Sequence, residues 1–260
     1  MLSFSNSVDG FTVRDGEIRA FYHSIAPFTV ALLPPDGVHV GTGVLVSWKS
    51  LPLILTANHN LLGTRASEMR FVLHPGGTLH EGPMTREDSG KLYRGVSLPV
   101  EEEVIADARN DIAAIRLKSD HLAPASAFCD IDSRMQQIND GSTVILVGFA
   151  WDNSFPLGGQ ARAVGVTTQT GRYDNELNKR KDLPSTYSAE EHFLLPYTRV
   201  EDGVKPHGMS GTAAWCNKEP AGTLWTPHPT LVGIQTAWFP KSRLLQIVRL
   251  GPILDLLAPL

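Results

Sequence analysis

The chain has 260 residues, 42% hydrophobic and 19% charged, with a net charge of −4 at pH 7. This is ordinary globular composition, long enough for one large domain or two small ones sharing an interface. The charge gives no case for nucleic acid or an anionic membrane as the main partner, and no run reaches the ~18 consecutive apolar residues a membrane span needs.

Residues 1–9 show neither a basic n-region nor an apolar h-region, so no secretory signal is visible and a cytoplasmic location is the expectation. Residues 1–24 read as an N-terminal extension. The first strand signal covers residues 28–33 and stops at Pro34-Pro35-Asp36-Gly37. Residues 38–48 are rich in β-branched side chains and carry Gly41 and Gly43; a turn at 49–52 leads into a returning strand at 53–57. Residues 71–73, 104–106 and 112–117 continue the pattern. A polar stretch from about 118 to 140 separates this series from a second, at 143–149, 161–168, 193–198, 211–215, 230–238 and 244–250.

Short strands at this turn density predict an all-β sandwich or barrel, and two series predict two barrels, over 25–125 and 126–250. Residues 173–191, with the run Asn178-Lys179-Arg180-Lys181-Asp182, read as a long surface loop. Pro252 follows Gly251 and starts a short terminal helix within 251–260. Cys129 and Cys216 read as small buried hydrophobes, too few for a disulfide framework.

Three segments carry chemistry. Ser210 lies in Gly208-Met209-Ser210-Gly211, His59 closes the strand Ile54-Leu55-Thr56-Ala57-Asn58-His59, and Asp111 opens the strand Asp111-Ile112-Ala113-Ala114-Ile115. A serine hydroxyl is a weak nucleophile and needs a base, an imidazole has the matching pKa, and a carboxylate fixes the tautomer of that imidazole. Glycine at 208 frees the backbone so that its N–H and that of Ser210 converge on a developing oxyanion. Asp107 is a rival carboxylate, but no strand follows it directly. The GxSxG elbow of α/β-hydrolases is excluded, since residue 212 is Thr and no βαβ alternation hosts it.

At these blocks the chain resembles the chymotrypsin/trypsin-like serine peptidases, and in particular bacterial intracellular trypsin-like peptidases. Thr56-Ala57-Asn58-His59 is similar to the family's TAAH block, Asp111-Ile112-Ala113-Ala114-Ile115 to its DIAL block, and Gly208-Met209-Ser210-Gly211 to its GDSG or GNSG block. The resemblance implies two packed six-stranded Greek-key β-barrels with a short C-terminal helix. His59 and Asp111 would lie on the first barrel and Ser210 on the second. It further implies His59 as general base, Asp111 as its orienter, Ser210 as nucleophile, and Gly208 and Ser210 as the oxyanion hole. Thr236 would brace the aspartate, and Val204, Gln235, Thr236 and Trp238 would shape the substrate pocket. Val204, six residues before Ser210, stands where trypsin-type enzymes carry Asp, so Lys/Arg preference is not supported.

Met209 replaces the Asp that pairs with a freed N-terminus in zymogen-activated relatives. The usual cleavage activation is therefore not expected, which leaves activity as made, or control by loop ordering or a regulatory protein partner. The expected substrate is a protein or peptide. The competing reading is a trypsin-like fold kept as a catalytically silent binding or regulatory module; an esterase is a third. No cofactor and no metal are expected: His74 and His80 form the densest histidine cluster, and their spacing matches no zinc pattern.

Overall fold

The structure is a computed structural model and describes residues 15–34, 41–73, 100–118, 128–158, 161–198, 204–217 and 227–260. It opens on a helix, α1 (Asp15–Ile25), inside the segment read as an extension. Ile18, Phe21, Tyr22 and Ile25 fall at the i, i+3, i+4, i+7 spacing of one helical face. Phe21, Tyr22 and Ile25 are all buried. So short a helix is marginal alone, and it is this packing that stabilises it.

The first sheet contains β1 (Thr29–Leu33), β2 (Gly41–Trp48), β3 (Leu51–Ala57), β4 (Arg70–Leu73), β5 (Val100–Asp107) and β6 (Ile112–Leu117), in the order β4-β1-β2-β3-β6-β5. The two-residue β7 (Cys129–Asp130), beyond residue 125, pairs in parallel with Val46 and Ser47 of β2. The second sheet contains β8 (Thr143–Gly158), β9 (Ala161–Arg172), β10 (His192–Pro196), β11 (Ala213–Asn217), β12 (Pro229–Phe239) and β13 (Leu244–Arg249), in the order β10-β13-β12-β11-β8-β9. Apart from the β7 contact, every pairing between these strands is antiparallel. The chain closes on α2 (Leu250–Leu257), which starts two residues before Pro252. Pro252 is tolerated there because first-turn N–H groups have no intrahelical acceptor.

The strands read as apolar runs, not alternating patterns, because both faces are covered. In β2, Leu45 faces the interior of the first barrel with Ile54, Ala113 and Ile115, while Val44 and Val46 face outward. The outward set meets Ile145, Val147, Trp215, Ile234 and Val248 of the second sheet. Val144, Leu146, Ala214, Cys216, Leu245 and Ile247 fill the second interior. The described residues thus form three cores, two inside the sheets and one between them. Phe21 and Ile25 of α1 and Ile253 and Leu257 of α2 belong to the middle one, which holds the two halves in fixed relation. Each large apolar side chain buried there stabilises by about 1.5–3 kcal/mol. Trp48 Nε1 also donates to the Leu257 carbonyl at 3.0 Å, tying α2 to the first sheet.

Both cysteines are buried and free, and burial pushes the Cys129 thiol up to about 11 and that of Cys216 to about 12. The 173–191 segment is a surface connection with its own hydrogen bonds. Asp174 caps a 3-10 turn at Asn175–Lys179, and Asn178 bridges the Tyr173 and Tyr187 hydroxyls at 2.8 and 2.6 Å. It ends at His192, which is 1% exposed, with Nδ1 against Ser188 and Nε2 buried without a partner among the described residues.

Burial lowers the His192 pKa below its ordinary 6.5, against the raising influence of the Ser188 hydrogen bond and Glu191; Arg109 and Arg249 add to the lowering. Below the ordinary value the unfolded imidazole binds a proton that the folded one refuses, so stability falls as pH drops through that window. A melting series from pH 8 to 5 is expected to show Tm declining below about pH 6.5, and His192→Asn is expected to flatten that decline.

Candidate functional site

Strand register brings two of the expected residues together. Ala57, the last residue of β3, pairs with Ile112, the first of β6, so residue 111 lies beside residue 58. The Asn58 N–H donates to the Asp111 carbonyl at 2.9 Å. His59 then lies in a 3-10 turn, Asn58–Leu61, that carries the chain away from the strand. Asp111 takes a left-handed backbone, φ 55°, which Asp tolerates better than most residues. Its carboxylate accepts from the His59 backbone N–H at 2.9 Å and contacts His59 Nδ1 at 2.6 Å. A carboxylate can only accept, so the proton lies on Nδ1 and Nε2 is left as the basic nitrogen. The pair is partly open to water, with side-chain exposures of 42% for His59 and 34% for Asp111. Its value is therefore orientation more than stability.

Asp107, the rival carboxylate, is engaged elsewhere. It accepts from the Arg109 N–H at 2.9 Å, from the Asn110 N–H at 3.2 Å and from Asn110 Nδ2 at 2.6 Å, which shapes the turn leading into Asp111. Burial pulls the Asp107 carboxyl upward, but the Asn110 and Arg109 hydrogen bonds outweigh it and leave the group below its ordinary value.

Ser210 comes to this place from the second half of the chain. Its carbonyl accepts from the Thr42 N–H at 3.0 Å and from Asn60 Nδ2 at 2.8 Å. The residue after His59 therefore holds the main chain of Ser210. Thr42 reinforces the contact: its hydroxyl donates to the Gly208 carbonyl at 2.8 Å and accepts from the Phe149 N–H at 3.0 Å. From below, Gly211 N–H donates to the Gln235 carbonyl at 2.7 Å and Gln235 N–H to that of Thr212 at 2.8 Å. Gly208 and Gly211 both have positive φ, 89° and 91°. Neither the Gly208 nor the Ser210 N–H has an acceptor among the described residues. No hydrogen bond joins His59 Nε2 to Ser210 Oγ, a contact that in unliganded sites often tightens only when substrate binds.

Gly211 admits nothing larger. A Cβ there would overlap the Thr42 carbonyl and Thr56 Oγ1, in a backbone conformation that disfavours side chains. Gly211→Ala is expected to destabilise by about 3 kcal/mol in urea unfolding, because strain and steric overlap act together.

Of the pocket residues, Val204 and Trp238 are half-buried against the second interior, and Gln235 and Thr236 are buried. Thr236 Oγ1 has no hydrogen-bond partner among the described residues, so the brace to Asp111 implied by the resemblance is not made. Sequence reasoning missed Thr42 and Asn60. The one signal was the pair of glycines flanking Thr42: a Cβ at Gly41 would come within 2.6 Å of Asn60 Cγ, so Gly41 leaves room for that amide. Among the described residues, no group of three His, Cys, Asp or Glu side chains is placed to hold a metal ion, and no helix is long and apolar enough to cross a membrane. His74 and His80 lie outside the described residues.

No family model matches the chain, and no curated protein matches it. Solved structures do. The scabies mite inactivated protease paralogue S-D1 aligns over 88% of this chain and 90% of its own at 13% identity, with a TM-score of 0.57. The paralogue S-I1 aligns over 92% and 97% at 17% identity and 0.55. The inactive form of the Rv3671c protease of M. tuberculosis aligns over 97% and 98% at 13% identity and 0.52. At these identities the likeness shows the fold, which is the chymotrypsin-like double β-barrel.

Proposed function

We propose that this chain is a serine endopeptidase working through an acyl-enzyme on Ser210. The observation that carries the reading is the two-point hold of Asp111 on His59, through the backbone N–H at 2.9 Å and Nδ1 at 2.6 Å, next to a loop that pins Ser210. In this reading Ser210 Oγ attacks the carbonyl carbon of a peptide bond while His59 Nε2 takes the hydroxyl proton. The Gly208 and Ser210 N–H groups receive the oxyanion, each worth about 2.7–4 kcal/mol of barrier. The imidazolium, stabilised by Asp111, returns its proton to the leaving amine. Water then attacks the ester by the same base, releasing the acid and restoring Ser210. Met209 is buried in the second interior, so it acts as packing, and activation through an ion pair at that position has no group to serve it.

A second reading, the catalytically silent binding module, draws on the unbraced Asp111 and the missing Nε2–Oγ hydrogen bond. A fluorophosphonate probe separates the two. One label per chain on Ser210, abolished in Ser210→Ala, is the expected result; a well-folded chain that never labels would favour the silent module.

A further inference from the structure

Two polar atoms are stranded in an otherwise apolar wall beneath the Ser210 loop. Gln235 pairs with Ile247 and Trp238 with Leu245, and both partners lie in the second interior. The irregularity between Gln235 and Ala237 lets two residues three apart face the same side. Gln235 is 1% exposed; its Nε2 donates to the Ala237 carbonyl at 3.1 Å, which fixes the amide orientation and leaves Oε1 as the free atom. Among the described residues Oε1 has no partner, and neither has the buried Trp238 Nε1. One is an acceptor only and the other a donor only. Thr236 Oγ1, able to do either and between them in sequence, is likewise without a partner among the described residues. Buried groups of this kind are nearly always satisfied, so the Gln235 and Trp238 atoms, on one face of the strand, call for a ligand that satisfies them.

We infer that the face of β12 beneath the Ser210 loop takes a carboxamide side chain, Gln or Asn, at the residue whose carbonyl is attacked (P1). A primary carboxamide carries a carbonyl for Trp238 Nε1–H and an NH2 for Gln235 Oε1, matching both orphans at once. Tyr197, Met209 and Val204, which share that interior, bring no charge of their own to a P1 carboxylate. His207 touches Trp238 edge-on at 5.4 Å but is exposed, leaving any charge on it in water. Trp238 meets Tyr197 edge-on at 6.3 Å. A site built to bond such a group discriminates sharply against analogues that lack it.

This inference rests on the peptidase reading, and the test keeps the two apart. Quenched peptides differing only at P1 (Gln, Asn, Glu, Met, Lys) are compared by kcat/KM, alongside fluorophosphonate labelling of Ser210. Gln or Asn is expected to exceed Met and Glu by about tenfold or more. Gln235→Leu and Trp238→Phe are expected to bring the Gln-to-Met ratio toward one, a ratio that general loss of activity does not move. A labelled enzyme with a flat profile, or one favouring Met, Glu or Lys, overturns the carboxamide preference alone. A chain that neither labels nor cleaves overturns the peptidase reading and this inference with it. If both variants fail to fold, the wild-type profile still decides.

Discussion

Ser210→Ala is expected to lower kcat by about 10⁴–10⁶ against a good peptide while leaving the unfolding midpoint in place. The separation of the two effects follows from how the residue is held. Its structural contacts run through the main chain, with the carbonyl accepting from Thr42 and Asn60, and alanine keeps them. Only the hydroxyl is lost. His59→Ala is expected to cost a similar factor, and the double variant no more than the worse single one, because groups that act as a unit do not add. Additive losses in that cycle would mean that the two side chains act independently. Steady-state kinetics with thermal melts on the four proteins measures both quantities.

Asp111→Asn is expected to cost about 10⁴ in kcat, with little change in KM or fold. Asparagine is nearly isosteric and accepts the left-handed φ of 55°. Its oxygen still serves the His59 main-chain N–H, but the amide then turns an NH2 toward His59 Nδ1, where the carboxylate oxygen now lies at 2.6 Å. The imidazole answers by moving its proton to Nε2, and a protonated Nε2 has no lone pair to take the Ser210 proton. A kcat within tenfold of wild type would remove Asp111 from the orienting role. Nitrogen-edge NMR of His59 would report the tautomer change directly.

Strand existence was legible in the sequence because strands covered on both faces, such as β3 and β6, leave uninterrupted apolar runs between turn residues. The His59, Asp111 and Ser210 blocks were legible for the same reason, since each abuts such a run or a glycine turn. α1 was not, because its apolar stripe is brief and lies in a stretch read as an extension. β7 was not, because two residues carry no period, and its pairing with β2 depends on a partner some eighty residues away. Thr42 and Asn60 were invisible in a different way. A threonine between glycines reads as one more strand residue and an asparagine after a histidine as a turn, and only the fold brings them against Ser210. The Thr236 brace was carried over from the resemblance, and that hydroxyl, at a register shift between Gln235 and Ala237, has no partner among the described residues.

Rapid mixing with an activated ester, followed by acid quench and mass analysis, tests the acyl-enzyme most directly. The expected result is a burst approaching one acyl group per chain, carried by the peptide that contains Ser210. Product release without a burst, or an acyl group found on another residue, would contradict it.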